Sequence, residues 1–168
     1  MARPALLLTL LAFAATTGVA RPSPARAEGS DVPRIVGGSP VDTCGWPTTV
    51  YSNGCTSTLL HPKAISTAQH CGQPSSIVFG ENANSPGQTV GVVGCVGQGS
   101  QDAQICELAE EVTGLPVTPV LFGCEVDQYM QVGQPVVIVG FGQTAYGQGG
   151  GTKLWGDQVI TAVEPGRV

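Results

Sequence analysis

A rhythm of short apolar runs, each closed off by turn-forming residues, sets the limits on what this chain can fold into. From Ile35 onward the runs are Thr48–Tyr51, Thr56–Leu60, Ser76–Phe79, Thr89–Val93, Ile105–Leu108, Val117–Leu121, Pro135–Val139 and Gln158–Val163. Ser52-Asn53-Gly54, His61-Pro62, Ser85-Pro86-Gly87, Gly97-Gln98-Gly99 and the glycines of 147–151 punctuate them. Runs of this length, bounded by Gly, Pro, Asn and Ser, predict strands and tight turns rather than helices. The one segment with helical character is the amphipathic turn Thr67–Cys71, and no internal repeat is present. The spacing therefore predicts an all-β sandwich or barrel. Composition agrees: 11% charged residues, 42% hydrophobic residues, 24 Gly and 13 Pro suit a globular β domain and exclude a disordered chain. At 168 residues the chain is long enough for one domain with a real core.

The first residues read differently. Arg3 precedes an uncharged apolar run from Ala5 to Ala20, followed by the small-residue sites Gly18-Val19-Ala20 and Ala25-Arg26-Ala27. This is the pattern of a cleaved export signal, and the run is short for a membrane span. Residues 1–27 are expected to be a signal peptide, 28–34 a short pro-segment, and 35–168 the folded domain of a secreted protein. With no cysteine near the cleavage site, a lipid anchor is not expected. In an exported chain the six cysteines predict disulfides. Many connectivities are open to Cys44, Cys55, Cys71, Cys95, Cys106 and Cys124. Cys95 and Cys106 flank Asp102 and are candidates to bond across a hairpin. There is no C-x-x-C pair, and the histidines are only His61 and His70, so no metal site is expected, nor any cofactor. The net charge of -5 disfavours nucleic acid and anionic membrane as partners.

Four segments carry chemistry. Arg34 stands before Ile35-Val36-Gly37-Gly38, where cleavage frees an amino group that two glycines allow to swing. Cys55 to Cys71 combines a strand, a Pro turn, a second strand and the sequence Thr67-Ala68-Gln69-His70-Cys71. Asp102 opens the strand-like Asp102-Ala103-Gln104-Ile105-Cys106-Glu107-Leu108. Gln134 to Thr144 ends an apolar strand in Gly140-Phe141-Gly142-Gln143-Thr144. A phosphate-binding reading of the Gly-rich 147–151 stretch fails, because Leu154 follows Lys153 where Ser or Thr is required.

Taken together these segments resemble the trypsin/chymotrypsin serine proteases, the S1 family. The family pattern C-x-G-[ST]-L followed by T-A-A-H-C matches Cys55 to Cys71, with Ser57 in place of Gly and Gln69 in place of Ala. The D-x-A-L-x-x-L strand matches Asp102–Leu108, and G-W-G-x-T matches Gly140–Thr144 with Phe141 for Trp. The loop between His70 and Asp102 is shorter than usual in the family. The resemblance implies a double antiparallel β-barrel, with the first barrel complete over about 35–120 and the second incomplete. It implies a Cys55–Cys71 disulfide holding His70 rigid, His70 as general base, Asp102 as the group that orients it, and zymogen-like activation by cleavage between Arg34 and Ile35. His61, in the turn before a strand, is expected at the surface.

The family's nucleophile lies in a G-D-S-G-G motif, and the 168 residues contain none. Ser57 and Ser66 flank the His hairpin in strand positions that no oxyanion hole serves, and one missing hole donor alone costs about 10²–10³ in rate. The expectation is a truncated serine endopeptidase: a relative with both halves acts on protein or peptide substrates, while this chain alone is inactive and poorly soluble after about residue 125. Two alternatives stand beside it. One is a non-enzymatic pseudoprotease that binds other proteins. The other is half of a split enzyme, completed by a chain that supplies the missing strands along the apolar edge after Gln134.

Overall fold

The computed structural model describes residues 38–97, 99, 101–143 and 150–163. The expected signal peptide, the pro-segment and the Arg34–Ile35 cleavage site lie outside the described residues, as do residues 147–149 of the Gly-rich loop. In chain order the elements are β1 (Ser39–Pro40), β2 (Thr49–Ser52), β3 (Cys55–His61), β4 (Ala64–Thr67), a 3-10 turn (Gln69–Cys71), β5 (Ser76–Phe79), β6 (Gln88–Gly97), β7 (Gln104–Leu108), α1 (Cys124–Tyr129), β8 (Pro135–Gly140) and β9 (Leu154–Val159).

The barrel starts from a two-residue hairpin. Asn53 and Gly54 both take positive φ, at 47° and 84°, which is the backbone that an Asn-Gly turn supplies at low cost. That turn sets Ser52 opposite Cys55 and fixes the register of β2 on β3. Antiparallel pairing then runs β2-β3-β4-β7-β6-β5, and the Tyr51–Val78 pair between β2 and β5 closes the ring. Period-two alternation fills its interior. In β7 Gln104, Cys106 and Leu108 face in, while Ile105 and Glu107 face out. The core is Val50, Leu59, Ile65, Ile77, Phe79, Val90, Cys106, Leu108 and Val112. Each such aliphatic side chain contributes about 1.5–3 kcal/mol by leaving water. Register shifts at Leu59/His61 and Val92/Gly94 bend β3 and β6, as ring closure requires.

Beside the barrel lies a three-stranded antiparallel sheet in the order β1-β9-β8. It is open among the described residues, with β8 at its edge. Two side chains weld it to the barrel, beside the backbone bonds from Ala83 to Gly151 and from Lys153 to Glu81. The Phe141 amide donates to Thr56 Oγ1 on β3 at 2.9 Å, and the Phe141 ring is buried, meeting Tyr51 edge-on with centroids 5.7 Å apart. Gly140 is needed there, since a Cβ would stand 2.7 Å from Thr56 Oγ1. Lys153 is the second weld. Its side chain is buried, and Nζ donates to the carbonyls of Trp46 (3.0 Å) and Gly45 (3.4 Å). Burial pushes its pKa below the ordinary value, and the nearby Glu81 carboxylate opposes that shift.

The all-β class, the complete first barrel and the partial second unit are as the sequence predicts. The barrel strands run from 49 to 108, inside the expected span, and β1 belongs to the second sheet. Three local expectations need correction. Val117–Leu121 is not a strand: Pro116 and Pro119 remove ladder donors, and the segment straps the barrel instead. There the Thr118 amide donates to the Leu59 carbonyl, and the Thr118 hydroxyl bonds that of Thr48. The last strand is Leu154–Val159 rather than 158–163, because its register against β8 runs from Gly140–Leu154 to Pro135–Val159. The short helix α1 was not foreseen.

Candidate active site

His70 sits in the middle of the 3-10 turn that follows β4. Several bonds hold that turn. The Cys55–Cys71 disulfide, with Cα atoms 6.2 Å apart, ties it to the start of β3. Asn53, from the β2–β3 turn, donates to the Cys71 carbonyl at 3.1 Å. Thr67 Oγ1 donates to the Thr56 carbonyl at 3.3 Å. Within the turn the Cys71 and Gly72 amides donate to the carbonyls of Ala68 and Gln69.

Asp102 reaches His70 from the loop that joins β6 to β7. The hairpin below that loop is clamped by the Cys95–Cys106 disulfide, whose residues are cross-strand partners. One Asp102 oxygen, Oδ1, accepts the His70 backbone amide at 2.8 Å. The other, Oδ2, lies 2.5 Å from His70 Nδ1. The hydrogen bond from the His70 ring, with the His70 backbone amide next, holds the Asp102 carboxyl below its ordinary pKa of 3.8. The pair faces solvent: the side chains are 70% (His70) and 56% (Asp102) exposed. It forms one wall of an open depression of about 490 Å³ lined by Gln69, His70, Gly99, Gln101 and Asp102.

This geometry gives the imidazole a definite chemical state. With Nδ1 bound to a carboxylate, the ring proton rests on Nδ1, and Nε2 keeps a lone pair free to accept a proton. An imidazole held in one tautomer beside a carboxylate is a general base in waiting. The Cys55 and Cys71 sulfurs and a His70 nitrogen come within 4.8 Å of one another. Those sulfurs are joined to each other, so they are not thiolate donors.

The remaining sequence candidates fall elsewhere. His61 is exposed at the β3–β4 turn, where its Nδ1 accepts the Lys63 amide at 3.1 Å. Ser57 is buried and its hydroxyl bonds that of Ser52 at 2.5 Å. Ser66 is on β4, paired with Thr58 and Ile105. Cys44 and Cys124 are free and exposed. Gln104 is a contributor that the sequence reading passed over. It is buried at the head of β7, and its Nε2 donates to the Gly72 carbonyl at 2.7 Å and the Ala68 carbonyl at 3.3 Å. The available signal was the strand period, which puts Gln104 on the same inward face as Cys106 and Leu108.

Among the described residues the chain is thus a closed six-stranded barrel with a second antiparallel sheet against it and a histidine–aspartate pair at the barrel rim. The family model described as Trypsin matches residues 35–163, so the chain belongs to the trypsin family. Among solved structures it is similar to a human heparin binding protein, with a TM-score of 0.64 and 18% identity over 76% of this chain and 66% of that one. At that identity the likeness is one of fold. The chain thus spans about two thirds of the length of that neighbour. A search of the curated proteins returns no match.

Proposed function

We propose that this chain carries the general-base half of a secreted serine endopeptidase, with His70 as base and Asp102 as the group that orients it. The observation that carries the reading is the double grip of Asp102 on His70, through both ring and backbone, at the edge of an open depression. In the reaction so read, Nε2 of His70 takes the proton of an attacking serine hydroxyl and later hands it to the leaving amine. Asp102 stabilises the imidazolium between the two steps. The nucleophile and its oxyanion hole come from residues outside this sequence, and the chain alone does not hydrolyse peptides. The two disulfides fit an oxidising, extracellular setting, and cleavage after Arg34 is the activation step. The heparin of the structural neighbour's name is not carried over, because a polyanion is a poor match to a net charge of -5.

The test is complementation. The chain is refolded alone, and together with a polypeptide bearing the family's G-D-S-G-G segment and the remaining strands. Each sample meets a fluorogenic peptide and a serine-directed fluorophosphonate. Neither turnover nor labelling is expected from the chain alone. Both are expected from the pair, with turnover falling at least about a thousandfold in His70→Ala. Turnover by the chain alone that survives His70→Ala, or an assembled pair that is inert with His70 intact, would overturn the reading.

A further inference from the structure

We propose that Gln104 is a positioning residue that locks His70 and Asp102 into one unit, a deepening that rests on reading those two residues as base and orienter. Gln104 is polar yet only 7% exposed, at the head of a strand whose other inward residues are Cys106 and Leu108. A buried primary amide costs stability unless its hydrogen bonds are made. Both of its recorded partners are carbonyl oxygens, Ala68 O and Gly72 O, and only the NH2 end of an amide can donate to two acceptors. Its two protons are therefore both directed at backbone acceptors. Those acceptors bracket the turn: Ala68 precedes Gln69–Cys71 and Gly72 follows it.

Among the other ties, the disulfide and Asn53 act at Cys71, after His70, while the Thr67 hydroxyl acts on the strand before the turn. Gln104 holds carbonyls on both sides of the histidine. It also sits two residues after Asp102 on the same backbone segment. One short stretch of chain thus grips the histidine turn from beneath and presents the carboxylate to its ring. Any shift of the β6–β7 hairpin moves the carboxylate and the turn together, so the 2.5 Å and 2.8 Å contacts persist.

The experiment uses the full chain. Gln104→Met keeps length and bulk and removes both donors. The readout is the acid titration of the Asp102 carboxyl carbon by NMR, which a purely structural role of Gln104 does not move. In the parent chain the midpoint lies below 3.8. In Gln104→Met it is expected to rise toward that ordinary value, because the histidine turn is no longer held where both of its hydrogen bonds reach the carboxylate. An unmoved midpoint in a folded variant overturns the proposal. A second measurement needs no variant: both side-chain amide protons of Gln104 are expected to exchange slowly in the parent chain, and exchange at the rate of a solvated amide overturns the proposal. The two readings fail separately. If Asp102 shifts while the complemented enzyme is inert, the positioning stands and the catalytic assignment falls. If Asp102 is unmoved while His70→Ala abolishes complemented turnover, the reverse holds.

Discussion

Asp102 accepts two hydrogen bonds from a single residue, and that doubling separates it from an ordinary turn aspartate. The ring contact alone leaves the imidazole free to pivot about Oδ2, whereas the backbone contact at Oδ1 fixes where the turn itself stands. The lowered pKa of its carboxyl records the same fact energetically. A carboxylate whose folded-state pKa is depressed adds stability above its unfolded value and loses it as pH falls through the folded one. The window is therefore acid, from about pH 4 downward. Urea unfolding of the parent chain between pH 2 and pH 7 is expected to lose stability in that window through this carboxylate. Asp102→Asn is expected to flatten that part of the profile while remaining folded at neutral pH. Matching acid slopes for the two proteins would show that the contact contributes nothing in solution. The pair is exposed, so the effect is expected to shrink with added salt.

Elements decide how well that pair is held. Cys55–Cys71 spans 16 residues of sequence, and a loop of that size gains about 3 kcal/mol from cross-linking in the chain-entropy account. The paired substitution Cys55→Ser with Cys71→Ser is expected to cost about 2–4 kcal/mol in urea unfolding. It is also expected to raise the Asp102 midpoint, since the turn loses its covalent tie. A cost below about 0.5 kcal/mol would show that Gln104 and Asn53 hold the turn unaided. Much of this element was legible in the sequence. Asn53-Gly54 announces the β2–β3 hairpin through its backbone chemistry. The alternation of Cys106 and Leu108 with Ile105 and Glu107 announces β7. The Thr67–Cys71 segment places His70 on a short turn beside a cysteine. What stayed hidden was what local pattern does not encode. Val117–Leu121 looks like a strand by side chain, but its backbone is set by Pro116 and Pro119. The end of β9 is fixed by pairing with β8, not by the apolar run that continues to Val163. Nothing near Lys153 in the sequence marks it for burial, which depends on the Gly45 and Trp46 carbonyls more than a hundred residues away.

At the scale of the whole molecule the two β units are unequal. The barrel hides Val50, Leu59, Ile65, Ile77 and Leu108 completely, while the sheet leaves Val137, Ile138 and Val159 between 41% and 52% exposed. Phe122, in the segment joining the two units, is 76% exposed. β8 is at the sheet edge, so among the described residues its outer row of backbone groups has no strand partner. An apolar strand with an open edge is a template for pairing with another chain. An edge of this kind can pair with complementing strands or with another copy of itself. The purified chain is expected to associate as its concentration rises, seen as a growing mass in sedimentation velocity, and to bind a dye that lights up on apolar surface. Ile138→Lys places a charge on that strand and is expected to return the chain to monomer while leaving the barrel's unfolding transition within about 0.5 kcal/mol of the parent. Complementation by the serine-bearing polypeptide is expected to suppress self-association too, because both occupants need the β8 edge. If the chain stays monomeric at high concentration with Ile138 unchanged, the edge is not adhesive, and docking of a partner there loses its physical basis.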